Sequence, residues 1–340
     1  MRVAVFHGGH RPITIERFDD PEVAAGEIRI QIARCGICGS DISMTAGSAF
    51  DYAAGSRLGH EFAGEVVEIG RGVSTLKTGD KVAVLPKCGC GHCPACDVGH
   101  TFFCPTGPPV FGGFGDFIVA PESAAFALPQ SISMADGALV EPMACGLRAL
   151  RMAGMRGGER VMVIGAGTVA LSVIYWARRL GAGPILVASR SARRHDVAMA
   201  LGASAVHSFD EDDPADIKAV LGGPPDIIAE CVGKPGMLQK AIAFAPWRGT
   251  VLSMGMCTMN DAVLPAQCTF KELRLIFPLG YTIGEFTETI DAFEADAVHP
   301  ELMVSDVIGL DALPATIEAM RGPHNHLKVH VNPQLKASHG

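Results

Sequence analysis

Hydrophobic and polar positions along the chain follow two patterns, and one replaces the other between residues 133 and 158. Before this stretch, short apolar–polar alternations bounded by glycine predict strands at 3–6, 27–34, 61–69, 81–85 and 116–119. The first part of the chain is therefore predicted to be an all-β domain.

Past residue 158 the pattern predicts strands that alternate with helices. The strands are at 160–164, 184–188, 226–230 and 249–253, and one helix begins at Arg193. This alternation favours a parallel sheet wound on both faces. Helical patterns at 285–295 and 311–320 and a strand at 327–331 follow, and we assign them to the first domain. The predicted domains are 1–146 with 284–340, and 147–283.

Composition narrows the class of protein. The chain has 340 residues, 48% hydrophobic and 19% charged, which is typical of a compact globular protein of two domains. Its net charge of −8, without a basic block, argues against nucleic acid or an anionic membrane as a partner and favours a small molecule. We see no signal peptide or membrane span, so a cytoplasmic location is expected.

Five of the eleven cysteines lie between residues 88 and 104. Cys90, Cys93, Cys96 and Cys104 are separated by two, two and seven residues on a loop rich in glycine and proline. Four thiolates at short spacing suit tetrahedral zinc, and a site closed by four protein ligands is structural. We treat Cys88 as a bystander. The alternative, disulfides or free thiols, fits a reducing compartment less well.

A second group of ligands is spread over a longer stretch. Cys38 lies in the segment Cys-Gly-Ile-Cys-Gly-Ser-Asp, His60 in Gly-His-Glu, and Glu141 begins Glu-Pro-Met-Ala-Cys-Gly. One thiolate, one imidazole and one carboxylate form an open zinc site with a fourth position for substrate. An alcohol releases hydride readily only after its hydroxyl proton has largely gone, and a bound metal favours that loss.

These motifs, the four-cysteine loop and a later glycine-rich turn resemble the zinc-containing medium-chain dehydrogenases, above all their polyol, sorbitol and threonine dehydrogenase branch. The resemblance covers nearly the whole chain and implies a GroES-like β-rich catalytic domain and a Rossmann cofactor domain. It implies that Cys38 and His60 are catalytic zinc ligands and that Asp41 orients the imidazole.

The resemblance leaves the third ligand open. Glu141 is the first choice, Glu61 is an alternative or transient ligand, and Cys145 is a weaker third. Ser40 is placed to hydrogen-bond the alcohol oxygen and pass its proton outward. Many relatives continue this relay with a histidine at the position of Ser43, so here cofactor ribose hydroxyls or water would carry the proton on.

The segment after the predicted strand 160–164 is a dinucleotide fingerprint. Gly165 permits a tight turn, Gly167 lets the backbone approach a pyrophosphate, and Ala170 keeps helix and strand close. Thr168 and Val169 open the helix, whose N-terminus favours an anion.

The end of the next strand indicates the cofactor. Where an acidic residue would bind the ribose of NAD, the chain has Ser189 and Arg190, with Arg193 and Arg194 close behind. A 2′-phosphate would meet a hydroxyl and guanidinium groups, so we predict NADP over NAD.

Further contacts follow from position and resemblance. Residues after the later strands should border the nucleotide: Cys231, Val232, Met254, Gly255 and Leu279. By resemblance Lys328 reaches the pyrophosphate, although a solvated strand lysine fits the sequence equally well. Relatives pair through the edges of their cofactor sheets, which implies a homodimer or homotetramer.

The expected activity is a zinc-dependent alcohol dehydrogenase, which transfers hydride between a secondary alcohol or polyol, or the corresponding ketone, and NADP(H). The alternatives are a non-catalytic nucleotide-binding relative, an NAD-dependent polyol or threonine-type dehydrogenase, and a zinc-free reductase of the same broad fold. The intact ligand motifs argue against the first and the last of these.

Overall fold

The computed structural model describes residues 1–9, 11–47, 51–189, 194–208, 214–295 and 299–335, with side chains left out for 214–216. The chain forms two compact units, Met1–Glu141 with Thr282–Gly340, and Pro142–Tyr281. The predicted divisions at 146/147 and 283/284 differ from these by a few residues. No described helix is long and apolar enough to cross a membrane.

The first unit is mostly β-structure. Its strands are β1 (Arg2–Phe6), β2 (Thr14–Arg17), β3 (Glu27–Gly36), β4 (Ser56–Arg57), β5 (Glu61–Ile69), β6 (Lys81–Val84), β7 (Phe117–Pro121), β8 (Ala125–Ala127), β15 (Val304–Gly309) and β16 (Lys328–Asn332). Its helices are α1 (Gly39–Ser43), α2 (Pro94–Asp97), α3 (Met134–Gly137), α10 (Ile283–Ala295) and α11 (Leu313–Met320). Helix α4 (Val140–Ala153) begins in this unit.

Two sheets organise the first unit in the part that the structure describes. One has the order β2-β1-β4, and the other the order β15-β16-β3-β5-β6-β8 with β7 paired to β3. Strand β3 forms the centre because its alternate residues Ile28, Ile30 and Ile32 are fully buried. The predicted strand at 27–34 therefore has the expected hydrophobic face.

Two pairings of β3 determine which side chains meet at its end. Gly36 lies opposite Glu61 of β5 and opposite His330 of β16. Gly36 leaves room for the Glu61 carboxylate, because a Cβ there would lie 2.2 Å from Glu61 Oε2 and would displace it. The pairing thus brings the C-terminal strand and the start of β5 together beside the segment that follows β3.

The second unit is an α/β sandwich. Its strands are β9 (Val161–Ile164), β10 (Ile185–Ala188), β11 (Ala205–His207), β12 (Ile227–Glu230), β13 (Thr250–Ser253) and β14 (Arg274–Ile276). Its helices are α5 (Thr168–Arg179), α6 (His195–Ala200), α7 (Pro214–Leu221), α8 (Met237–Phe244) and α9 (Pro265–Lys271), together with most of α4.

The strands of the second unit form one parallel sheet of order β11-β10-β9-β12-β13-β14. Strand β9 is buried along its whole length. Met162 and Ile164 pack in a core with residues of α7 and α8, while α5 packs against β9 from the opposite face. This is the doubly wound parallel sheet that the alternation of strands and helices predicts.

Candidate active site

A mixed group of possible metal ligands lies where β3 and β5 meet. The ligand atoms of Cys38, His60 and Glu61 lie within 4.8 Å of one another. Gly59 makes this possible, because it has a φ of +93° and a Cβ there would lie 2.6 Å from the backbone nitrogen of Phe114. The turn into β5 therefore presents His60 and Glu61 toward the segment after β3.

The orientation of the imidazole depends on Asp41, which is fully buried. Its Oδ2 accepts a hydrogen bond from the backbone nitrogen of Cys38 at 2.9 Å, and its Oδ1 lies 3.5 Å from His60 Nδ1. Burial alone lowers the pKa of His60, but the charge and hydrogen bond of Asp41, and Cys38, outweigh it and raise that pKa well above its usual value. Because Nδ1 faces Asp41, Nε2 is the ring nitrogen that remains on the side of the other ligands.

Lys328 is the cation of this group. Its Nζ donates to Glu61 Oε2 at 2.6 Å and to the backbone oxygen of Ile37 at 3.0 Å, and its side chain is 2% exposed. Burial alone lowers the pKa of Lys328, but the negative charges of Glu61, Cys38 and Glu141 outweigh this effect and raise it. The lysine side chain is therefore a buried ammonium ion, not a solvated one.

This position differs from the one that the sequence predicts for Lys328. A contact with the cofactor pyrophosphate needs donors directed at a phosphate, whereas this ammonium group already contacts a carboxylate and a carbonyl. The physical reason is the pairing of β16 with β3, which places Lys328 beside Ile37. The alternative of a solvated strand lysine is therefore wrong, and the contact with the pyrophosphate stays a prediction that this pairing does not support.

The structure also distinguishes the three candidates for the third ligand. Among the described residues the group contains Glu61, and neither Glu141 nor Cys145 belongs to it. Glu61 is adjacent to His60 on β5 and 1% exposed, whereas Glu141 lies at the start of α4 and acts on the group through its charge on Lys328. In this arrangement Glu61 therefore takes the position for which the sequence favours Glu141.

Ser40 lies in α1 between Cys38 and Asp41, close to the hydroxyl of Tyr52. Burial and the charge of Asp41 raise the pKa of Tyr52 to about 12, so its phenol is neutral at physiological pH. The Tyr52 ring meets Phe111 edge-on at 6.0 Å, and Phe111 lies 5.7 Å from the His60 ring. An aromatic wall therefore borders the mixed group.

The four-cysteine loop forms a separate cluster. The sulfurs of Cys90, Cys93, Cys96 and Cys104 lie within 4.8 Å of one another. Burial opposes ionisation of Cys104, but hydrogen bonds, first from the backbone of Cys90, outweigh it and lower its pKa to about 6. Cys88 lies outside the cluster, with its Sγ 3.2 Å from Ser123 Oγ. These four donors fit one soft divalent cation.

The predicted cofactor residues lie at the carboxyl edge of the parallel sheet. Gly165 follows β9 with a φ of +107°, and Gly167 precedes α5 with open space at its Cβ position. Thr168 and Val169 form the first turn of α5, and Ala170 is fully buried. Helix α5 therefore offers free backbone amides at its N-terminus beside an approachable glycine.

The remaining cofactor candidates also follow strands at this edge. Ser189 follows β10 and is 7% exposed, and burial lowers the pKa of the nearby Arg194. The predicted contacts Arg190 and Arg193 lie outside the described residues. Further along the sheet are Cys231 and Val232 after β12, Met254 and Gly255 after β13, and Leu279 beyond β14.

The sequence alone predicts no role for one residue at this edge. Glu230, the last residue of β12, is 2% exposed, and its carboxylate accepts hydrogen bonds from the backbone nitrogens of Val232 at 2.6 Å and Gly233 at 3.0 Å. It therefore holds the turn that contains Cys231 and Val232. The signal in the sequence is an acidic residue that ends an otherwise apolar strand.

Two family models match the chain. Residues 24–130 match the alcohol dehydrogenase GroES-like domain, and residues 168–295 match the zinc-binding dehydrogenase domain. The GroES-like and Rossmann-type fold expected from the resemblance is thereby confirmed.

Individual relatives agree over nearly the full length. The chain is 30% identical to sorbitol dehydrogenase of Bacillus subtilis, over 98% of this chain and 97% of that protein. It is 32% identical to (R,R)-butanediol dehydrogenase of the same organism, over 92% and 94%. A zinc-binding dehydrogenase structure from Sinorhizobium meliloti 1021, bound to NADP, matches with a TM-score of 0.88 and 26% identity, over 98% of this chain and 99% of that one.

The sequence motifs, the two folded units and these matches lead to the same conclusion. The chain is an oxidoreductase that belongs to the zinc-type medium-chain dehydrogenase/reductase family.

Proposed function

We propose that this protein is a zinc-dependent alcohol dehydrogenase that transfers hydride between a secondary alcohol or polyol, or the corresponding ketone, and NADP(H). The observation that carries the proposal is the group formed by Cys38, His60 and Glu61, with Asp41 behind the imidazole. A non-catalytic relative has no need for such a converging and oriented donor set. The sorbitol and butanediol dehydrogenases support a substrate with neighbouring hydroxyl groups.

The donor set fits zinc at both clusters. Cys38, His60 and Glu61 offer sulfur, nitrogen and oxygen, which is the borderline-soft mixture of an open catalytic site. Cys90, Cys93, Cys96 and Cys104 offer only sulfur, as in closed structural sites. We therefore propose two zinc ions per chain. Such thiolates also need a reducing compartment, which supports the expected cytoplasmic location.

At the catalytic site, bound zinc would polarise the alcohol oxygen and so favour loss of its proton. The chain's own residues then have separate tasks. Asp41 keeps His60 in one tautomer and orientation. Ser40 is placed to accept a hydrogen bond from the alcohol hydroxyl and, as it takes that proton, to pass its own hydroxyl proton to a cofactor ribose hydroxyl or to water, with the neutral phenol of Tyr52 beside it. Lys328 compensates the charge of the buried Glu61.

The preference for NADP is supported by the end of β10. Ser189 occupies the place where NAD-dependent enzymes use an acidic residue, and Arg194 adds a guanidinium group nearby. We expect Ser189→Asp to lower kcat/KM for NADP by about 10²-fold and to leave the value for NAD equal or higher, because a carboxylate repels the 2′-phosphate. A parallel loss with both cofactors would contradict the assignment, and Arg190→Ala tests the same preference from the neighbouring residue.

The first experiment combines elemental analysis with a cofactor assay. The expected result is two zinc ions per chain and NADP-linked oxidation of secondary alcohols or polyols, read as absorbance at neutral and alkaline pH. One zinc per chain and no turnover with any alcohol would refute the catalytic proposal and favour a non-catalytic relative.

We also infer a homodimer, or a homotetramer built from dimers. Among the described strands β14 is an edge of the parallel sheet, and Phe270, Phe277 and Leu264 near it are 85%, 63% and 59% exposed. An edge strand with exposed apolar neighbours is a natural pairing surface. Light scattering coupled to size-exclusion chromatography measures the mass, and a monomer would refute this inference.

A further inference from the structure

We propose that Arg321 is a positioning residue that holds the metal-ligand segment 38–45 from the far end of the chain. The proposal concerns the same site as the proposed function and rests on it for its kinetic arm. It originates in a set of hydrogen bonds that cross from the end of α11 to the end of α1.

Arg321 directs its guanidinium group at the C-terminal end of α1. One terminal nitrogen donates to the backbone oxygen of Ile42. The other donates to the backbone oxygen of Thr45 at 3.0 Å and to Thr45 Oγ1 at 2.9 Å. These hydrogen bonds join residues about 280 positions apart in the chain, so no local sequence pattern predicts them.

The same network reaches Asp41. Thr45 Oγ1 donates to the backbone oxygen of Asp41 at 2.6 Å, and Thr45 is 3% exposed. Asp41 in turn contacts the backbone of Cys38 and the ring of His60. Arg321 therefore acts on the metal ligands through two intervening residues and touches no reacting group itself.

The short length of α1 makes such support necessary. A helix of five residues has little stability of its own, because the cost of nucleation is not repaid. Its last carbonyl groups also need donors, and a cation at this end interacts favourably with the helix dipole. Removal of Arg321 would free the helix to shift, and Ser40 and Asp41 would shift with it.

Two variants isolate this role. Arg321→Ala removes all three bonds to the ligand segment. Glu318→Gln removes only the carboxylate that lies 3.0 Å from Arg321 Nε, on a side chain that is 57% exposed, and leaves the bonds to Ile42 and Thr45 in place. Glu318→Gln is therefore the matched control, since both variants lose the same surface ion pair.

The first readout is metal retention, which does not need a substrate. Zinc release into a colorimetric chelator should show one phase for each cluster. Loss of groups behind metal ligands typically weakens metal binding 10–100-fold, so in Arg321→Ala the phase of the mixed group should accelerate by about tenfold or more. The phase of the cysteine cluster should not change and serves as the internal standard.

The second readout is kinetic. A misplacement of about 1 Å can reduce turnover about 10²-fold, so Arg321→Ala should lower kcat by roughly 10–100-fold while the KM for NADP stays within twofold. Millimolar ethylguanidinium, which can occupy the vacated space, should restore part of both the kcat and the metal retention. Arg321→Lys should retain more activity than Arg321→Ala.

The outcomes separate the alternatives. Wild-type metal release and kcat in Arg321→Ala, with only a lower Tm, would overturn the proposal in favour of a purely structural role. Equal losses in Glu318→Gln would overturn it as well, since the surface ion pair would then be responsible. If the wild-type protein oxidises no alcohol, the proposed function fails, but faster zinc release in Arg321→Ala alone would still support the positioning role.

Discussion

The two ligand clusters of the first unit differ in how far apart along the chain their metal donors lie. The cysteine cluster takes all four sulfurs from one loop of fifteen residues, between Cys90 and Cys104. The mixed group takes Cys38 from the end of β3 and His60 and Glu61 from the start of β5, with Lys328 added from β16. The first is therefore a local motif, and the second depends on three strands.

Their electrostatics differ in the same way. In the cysteine cluster, backbone hydrogen bonds lower the pKa of Cys104. All four donors are cysteine sulfurs, with no acidic or basic side chain among them. The mixed group contains a buried lysine whose ammonium ion already contacts the carboxylate of Glu61. A metal at the mixed group would share Glu61 with Lys328, so we expect this donor to be exchangeable. The mixed group, for which we propose the chemistry, is thus the cluster whose carboxylate already has a second partner.

The largest expected effect is on turnover. Cys38→Ser should lower kcat by at least about 10³-fold, because it removes a thiolate from the open site. Cofactor affinity, measured by quenching of protein fluorescence, should stay within a fewfold because the nucleotide binds to the other unit. Cys35→Ser is a useful comparison, since burial raises the pKa of the Cys35 thiol and it lies outside the group. Equal loss of turnover and cofactor binding would contradict the separation of the two sites.

The next effect tests the competition for Glu61. Lys328→Met leaves a buried carboxylate without its cation, which should cost about 3–5 kcal/mol of unfolding free energy in the zinc-free protein. With zinc bound the loss should be clearly smaller, because the metal can replace the ammonium ion as the partner. Urea unfolding with and without zinc measures both values, and Lys77→Met on the surface is the control. The same loss in both states would show that Glu61 does not respond to the metal.

The cysteine cluster should respond in stability and not in chemistry. Cys93→Ser should release the zinc of this cluster and lower Tm by roughly 5–10 °C, while freshly prepared protein keeps its kcat at low temperature. Cys88→Ser, which changes a neighbouring thiol outside the cluster, should leave zinc content and Tm nearly unchanged. An immediate loss of kcat in Cys93→Ser would show that the cluster is not purely structural.

The contrast between a local motif and a site that depends on strand pairing also explains which features the sequence predicts. The spacing of Cys90, Cys93, Cys96 and Cys104 is a local signal, and so is the glycine-rich turn after β9. Both are predicted from sequence alone, as is the alternation of strands and helices in the second unit. The strands that escape prediction are short or only half-buried and lack a continuous apolar run: β2, β4, β8, β11, β14 and β15.

The sequence could not decide between Glu61 and Glu141 as the third ligand, because the choice depends on strand register. Glu61 reaches Cys38 only because Gly36 lies opposite it and leaves room for its carboxylate. The role of Lys328 likewise depends on the antiparallel pairing of β16 with β3, which joins residues almost 300 positions apart. No local pattern contains that information, and the sequence favours Glu141 over Glu61.

The smallest effect concerns His330, two residues after Lys328 on the same strand. It is fully buried, and burial together with the charges of Lys328 and Arg34 lowers its pKa to about 3. The unfolded chain binds a proton at this residue below about pH 6.5, whereas the native protein does not until about pH 3. Its contribution to stability is therefore lost as the pH falls through this window, by about 1.4 kcal/mol per unit.

The test is the difference in unfolding free energy between the wild type and His330→Leu. Between pH 6.5 and pH 5 the wild type should lose about 2 kcal/mol more than the variant, because leucine has no proton to bind. Metal ligands are common to both proteins, so their titration cancels in the difference. Parallel pH profiles would mean that His330 binds its proton equally well in the native and unfolded states, so that neither burial nor the charge of Lys328 lowers its pKa.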